Sequence, residues 1–299
     1  MKTVTTIAEL RAELDAVRAA GDRVGLVPTM GYLHAGHASL VERAVQDRCR
    51  VVTTIFVNPL QFAAGEDLDS YPRDPEGDAR TATAAGAELL FAPSLEEMYP
   101  GGRDAVATSV SVAGLSSVME GASRPTHFSG MCTVVSKLFN IVGPCRAYFG
   151  DKDFQQLAIV RRMVFDLSAP VEVIGCEIVR EPDGLAMSSR NVRLTPEERA
   201  VAPVLHEALL EGAAAILAGE TSADAVRERM AAHVASQDLG TLDYVEVADP
   251  DTLRPLDLAD VDARLFGAVR FSGARLIDNL AVQGGPADPA TRRPEAAPT

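Results

Sequence analysis

The sequence predicts an α/β fold, a parallel, doubly wound sheet followed by a smaller α+β domain. Three observations carry that reading. Between residue 24 and about residue 175, short apolar runs alternate with segments of helical periodicity. Those runs are nearly continuous, as in strands buried on both faces, rather than alternating. Beyond residue 177 the order changes to two helical segments followed by three strand-like runs with turn signals between them.

The N-terminal MKTVTTIAELRAELDAVRAAGD reads as a helix N-capped by Thr5 or Thr6 and closed by Gly21. Val24, Leu26 and Val27 suit a buried strand over 24–28, ended by Pro28 and Gly31. Leu40, Val41, Ala44 and Val45 then recur at helical spacing, giving a helix over 36–48 that starts near Ala35 or Gly36. Further strands are expected at 51–57, 88–91, 145–149 and 171–176, and helices at 75–85, 129–142 and 153–166. A polar stretch, EIVREPDGLAMSSRNVRLT, leads into helices over 196–218 and 222–236, then strands over 242–249, 263–273 and 274–283. The expected domains are 1–177 and 178–283. The last 16 residues, 284–299, are rich in Pro, Ala and Gly and are expected to be a disordered tail. There is no internal repeat.

Composition bounds the function. With 299 residues, 47% hydrophobic and 23% charged, the chain can bury two cores. No run approaches the ~20 apolar residues a membrane span needs, and the N-terminus lacks the apolar centre of a signal peptide. A cytoplasmic protein without membrane partners is expected. Cys49, Cys132, Cys145 and Cys176 are scattered without a C-x-x-C pair, which fits small buried groups in a reducing compartment. Twenty-eight Lys and Arg against 42 Asp and Glu give a net charge of −14, a poor match to nucleic acid. With no Trp and 5% aromatic residues, base-stacking platforms are also lacking.

The richest segment is VGLVPTMGYLHAGHASLVERA, residues 24–44. A strand, a glycine turn and a helix N-terminus aim unpaired N–H groups and a positive dipole end at one spot, where anions bind. His34 and His37, with small Gly36 between them, can face that spot. Metal ligation is the alternative, but zinc needs a third ligand, and the spacing is shorter than H-E-x-x-H with no glutamate between. Ligands of doubly wound sheets bind beyond the carboxyl ends of the strands. That rule groups the histidines with Asn58-Pro59-Leu60-Gln61 and Gly150-Asp151-Lys152-Asp153, which follow two other strands. Lys152 offers a flexible point charge for phosphates, with a solvated surface lysine as the alternative. MSSRN, 187–191, gathers two hydroxyls and a guanidinium that can grip a triphosphate as charge builds on departing pyrophosphate, or form a capped loop. Gln61 and Gln156 supply neutral amides suited to a hydroxylated or carboxylated small substrate, although surface glutamines are common.

Six blocks, PTMGYLHAGH, FVNPLQF, YPRD, RPTHFSGM, YFGDKDFQQL and DGLAMSSRN, together resemble the pantoate–β-alanine ligase (pantothenate synthetase) family, in order from about residue 24 to 194. The H-x-G-H block alone indicates only the wider nucleotidyl-transferring superfamily that includes class I aminoacyl-tRNA synthetases. The resemblance implies a Rossmann-like fold and ATP-dependent activation of pantoate as pantoyl adenylate with release of pyrophosphate. β-Alanine then attacks the mixed anhydride to give pantothenate and AMP. By the same resemblance Met30, Gly31, Tyr32, Leu33, His34, Ala35, Gly36 and His37 bind ATP, with His34 and His37 on its phosphates and His37 serving the leaving group. Lys152 would neutralise charge at the transferring phosphoryl centre, and Ser188, Ser189 and Arg190 would form a mobile loop closing over ATP. Gly150, Asp151, Asp153, Val179 and Met187 complete the nucleotide set, while Gln61, Gln156 and Met30 would hold pantoate or β-alanine. Mg2+ is implied with ATP. Behind YPR the chain reads DPEGDAR, so Asp78 matches one acid of a magnesium-linked cluster and Gly77 stands where some members carry a second. A homodimer through the N-terminal domain is also implied. A sibling nucleotidylyltransferase and a non-catalytic nucleotide sensor on the same fold are the competing readings.

Overall fold

A computed structural model describes residues 1–63 and 65–282; the tail expected over 284–299 lies outside the described residues. The chain forms two units. The first comprises Met1–Gly150 and Gln155–Cys176, the second Asp151–Phe154 and the residues from Glu177 onward.

The first unit is built on β1 (Lys2–Val4), α1 (Ile7–Ala19), β2 (Arg23–Thr29), α2 (Ala35–Gln46), β3 (Cys49–Ile55), α3 (Pro75–Ala85) and β4 (Leu89–Phe91). Short α4 (Leu95–Met98) and α5 (Glu120–Ser123) precede α6 (His127–Val142), β5 (Cys145–Gly150), α7 (Phe154–Asp166) and β6 (Val171–Cys176). Six strands make one parallel sheet in the order β1-β4-β3-β2-β5-β6. Alternation along each strand sends successive side chains to opposite faces. Leu26, Val52, Ala147 and Phe149 join Leu10, Leu14 and the apolar residues of α6 and α7 in one core. Val27, Val51 and Tyr148 join Leu40, Val41 and Ala82 of α2 and α3 in the other. The sheet is therefore doubly wound. The strand order reverses between β2 and β5, which makes their carboxyl ends the topological switch point.

The helix starts follow capping chemistry. Thr6 caps α1 in a capping box with Glu9, and Gly21 follows at φ +83°. Asp74 caps α3, accepting from Gly77 N at 2.9 Å, and Pro75 opens the helix. Strand β1 goes beyond the sequence reading: it is three residues long, and only its parallel register with β4 defines it.

The second unit holds α8 (Pro196–Val201), α9 (Val204–Leu217), α10 (Ala223–Val234), β7 (Thr241–Ala248), β8 (Arg264–Arg270) and β9 (Arg275–Ala281), the strands forming an antiparallel sheet β7-β8-β9. Residues 196–218 were expected as one helix. They are two, because Pro203 has no N–H to donate back along the helix, although Ala202 itself keeps αR dihedrals. Pro196–Leu217 is the one stretch among the described residues long and apolar enough to cross a membrane, contrary to the expectation that none approaches that length. Its apolar residues, among them Leu205, Leu209, Ala213 and Ile216, are committed to the core with Met230, Val247 and Leu265.

Candidate active site

In the first unit the segment after β2 is shaped by Asp78 of α3. Gly31 has φ +86° and Tyr32 φ +53°, and the turn they make points the next two amides at Asp78. Tyr32 N donates to Asp78 Oδ2 at 3.1 Å and Leu33 N to Oδ1 at 2.6 Å. A Cβ on Gly31 would stand 2.9 Å from Asp78 Oδ2, so glycine is needed both for the dihedral and for the space. Asp78 is buried, and desolvation pushes its pKa above the usual carboxylate value against the opposing effect of the two amides. Both its oxygens thus serve the turn. At Gly77 a Cβ would meet the capping carboxylate of Asp74 at 2.1 Å, so a side chain there requires that carboxylate to shift. Among the described residues no group of three His, Cys, Asp or Glu side chains is placed to hold a metal.

His34 is the N-cap of α2. Its Nδ1 accepts from Gly36 N at 3.1 Å, and His37 Nδ1 accepts from His34 N at 3.4 Å, a capping box built from two imidazoles. The rings lie 4.1 Å apart, centroid to centroid. An Nδ1 that accepts leaves the proton of the neutral ring on Nε2. Both imidazoles therefore present Nε2–H donors at a helix N-terminus, beside Ala35 and Gly36, whose backbone opens that helix.

Beyond β3, Asn58 caps the turn Pro59–Gln61. Gln61 is buried: its Oε1 accepts from Asn58 Nδ2 at 3.0 Å, and its Nε2 lies 3.3 Å from Met30 Sδ. Tyr99 Oη donates to Asn58 Oδ1 at 2.8 Å, and Asn58 Nδ2 also donates to Gly130 O at 3.1 Å. His127 Nδ1, 3.1 Å from Gln61 O, must carry the proton, since a carbonyl only accepts. Burial lowers the His127 pKa to about 4, with Arg124 adding to the shift. Gln61 and Met30 are thus brought together, as expected. Gln156 is half-buried on α7, and its side-chain amide has no hydrogen-bond partner among the described residues. Its neighbour Gln155 has a structural part instead, accepting from Glu120 N and donating to Leu115 O and Val118 O. Tyr99, His127 and Gln155 were not singled out from sequence as site residues; Asn58 was grouped with the histidines by its place directly after β3, without a role.

Gly150 ends β5, and Asp151, Lys152 and Asp153 form a 3-10 turn ahead of α7. Within the second unit Lys152 Nζ lies 3.8 Å from Asp153 Oδ1. Val179 and Met187 are joined by a Met187 N to Val179 O bond of 3.0 Å, the base of a hairpin whose tip is Asp183-Gly184. Ser188 Oγ accepts from Arg190 N at 3.2 Å, and Ser189 is buried. A small cavity in this unit is lined by Lys152, Ser188, His206 and Asp278 with apolar Leu185 and Leu205. The hairpin is tied down by Arg180, which grips Asp278 through two bonds of 2.6 and 2.9 Å and donates to Gly184 O at 3.0 Å. Arg180, His206 and Asp278 lay in no motif and were not anticipated.

A family model described as pantoate-beta-alanine ligase matches residues 2–281. The chain belongs to the pantoate–β-alanine ligase family. It is 52% identical over 280 residues to the pantothenate synthetase of Pseudomonas fluorescens, covering 94% of this chain and 98% of that one. It is 49% identical to that of Acetivibrio thermocellus, covering 95% and 100%. A crystal structure of pantothenate synthetase from Thermus thermophilus superposes with a TM-score of 0.89 at 51% identity over 94% of this chain and 99% of that one. The pantoate–β-alanine ligase of Francisella tularensis, solved with a β,γ-ATP compound and β-alanine, matches with a TM-score of 0.77 at 30% identity, covering 96% and 100%. The parallel sheet with its small antiparallel companion is thus the fold of pantoate–β-alanine ligases.

Proposed function

We propose that the chain joins pantoate to β-alanine through an enzyme-bound pantoyl adenylate, with AMP and pyrophosphate as products. A pantoate carboxylate oxygen attacks the α-phosphorus of ATP, and the bond from that phosphorus to the bridging oxygen of pyrophosphate breaks. The amine of β-alanine then attacks the acyl carbon, and AMP leaves. Pantoate is already ionised at neutral pH, so the first step needs charge neutralisation and alignment more than a base.

The observation that carries this reading is the pair of Nε2–H donors at the start of α2, in the strand-end position where doubly wound sheets bind nucleotides. β5 neighbours β2, and the chain leaves β5 directly into Asp151 and Lys152. Through Nε2 of His34 and His37 and Nζ of Lys152 these side chains donate, the character needed where negative charge develops on phosphate. Ser188, Ser189 and Arg190 would add donors to the same phosphates, with Val179 and Met187 beside the adenosine. Gln61 and Gln156 would hold pantoate, Gln156 being the amide whose hydrogen bonds a substrate can take up. A magnesium ion carried on the phosphates fits the donor set better than a protein cage, since Asp78 already accepts two amides. A cytoplasmic homodimer is part of the same reading, with sedimentation as its check.

Product analysis tests it. ATP with both acids should yield AMP, pyrophosphate and pantothenate in equal amounts. ADP and phosphate would mean an acyl-phosphate route and overturn the adenylate. Pyrophosphate release without either acid would favour the sibling nucleotidylyltransferase.

A further inference from the structure

Two adjacent residues of β9, Asp278 and Asn279, reach the two segments of the second unit that carry its phosphate-directed donors. The Asn279 side-chain amide donates to Asp151 O at 2.8 Å and to Lys152 O at 3.0 Å, using both of its hydrogens on consecutive carbonyls. Its Oδ1 accepts from Arg264 Nε at 2.7 Å, and the Arg264 guanidinium lies 3.7 Å from the centroid of the Phe154 ring. Asn279 is 2% exposed, so no water competes for these bonds. Asp278 is equally buried and holds Arg180, whose third bond to Gly184 O fixes the hairpin that leads into Ser188, Ser189 and Arg190. Asp278 Oδ1 also accepts from Asn279 N at 2.8 Å, which links the two arms.

A surface lysine has no need of such a mount. Its ammonium sits on a flexible stem, and the precision of a charge at a phosphoryl centre depends on where the backbone starts that stem. We propose that Asp278 and Asn279 are positioning residues for the adenylation step, Asn279 acting through Lys152 and Asp278 through the serine–arginine hairpin. This rests on the reading of Lys152 as the cation at the phosphates. The pairing of both segments on one dipeptide is what argues for a role in registering donors.

The test is a double-mutant cycle on single-turnover adenylation. Asn279→Ala should slow the step about 100-fold, the cost of a misplaced donor, with pantoate affinity unchanged. On a Lys152→Ala background it should slow it no further. Asp278→Asn and Arg190→Ala should show the same loss of additivity. If Asn279→Ala does not fold, Asn279→Ser, which keeps one donor, is measured in its place. Rates that multiply across the Lys152 cycle, or an Asn279 variant near wild-type rate, overturn the positioning role while leaving Lys152 its own. A Lys152→Ala enzyme of wild-type rate overturns the reading of Lys152, and the positioning role falls with it.

Discussion

At His34 and His37 the backbone decides which nitrogen faces outward. Because each Nδ1 accepts an amide N–H, donation is left to Nε2, and the sequence could show the pair but not this tautomer. The same limit applies at Asp78. Its position behind YPR suggested a metal ligand, whereas its two oxygens hold the Gly31–Leu33 turn across 45 residues of chain. Asp78→Ala should cost roughly 1–3 kcal/mol, the penalty for orphaned buried amides, without weakening magnesium dependence beyond the loss in folded protein; denaturation and a magnesium titration check both. The two glutamines, alike in sequence, separate in structure. Gln156→Ala should leave Tm unchanged and raise the pantoate KM, while Gln61→Ala, removing a buried amide bonded to Asn58, should lower Tm as well as raise that KM. His127 gives a pH signature. Its folded pKa of about 4 lies below the unfolded value of 6.5, so neutral His127 supports the fold above pH 6.5. That contribution is lost as pH falls through 4, by no more than about 3 kcal/mol. In His127→Asn the slope of stability against pH across this window should flatten.

At the level of elements, the strands at and beside the switch point were legible as short, largely apolar runs bounded by turn residues. β2, β3, β5 and β6 stand within a residue or two of their expected bounds. Helix starts were legible where Thr6 and Asp74 supply caps. What escaped had non-local causes. β1 exists through its register with β4, and the break at Pro203 lay inside an otherwise strong helical pattern. The site residues Asn58, Arg180 and Asp278 owe their roles to partners 72 and 98 residues away. One close approach is readable only in three dimensions: a Cβ on Gly130 of α6 would lie 2.2 Å from Leu60 O, in the turn that carries Gln61. Gly130→Ala should therefore push that turn away, costing about 1–3 kcal/mol and raising the pantoate KM together. A variant with wild-type Tm and KM would show that the turn is not held by this contact.

Over the whole molecule, an acidic chain of net charge −14 is proposed to bind a polyanionic nucleotide. Donors gathered at strand ends and helix starts outweigh a distant surface charge that salt screens. The first unit carries the two imidazoles, Gln61 and Gln156, and the second the Lys152 ammonium and the serine–arginine hairpin. That each of these groups serves the proposed adenylation is the central claim. Single-turnover release of pyrophosphate from ATP and pantoate, with β-alanine left out, tests it most directly. The wild type should release about one equivalent per site, and His37→Ala and Lys152→Ala should each slow that release about 100-fold or more while still binding ATP. A full burst in either variant, or none in the wild type until β-alanine is added, would contradict it.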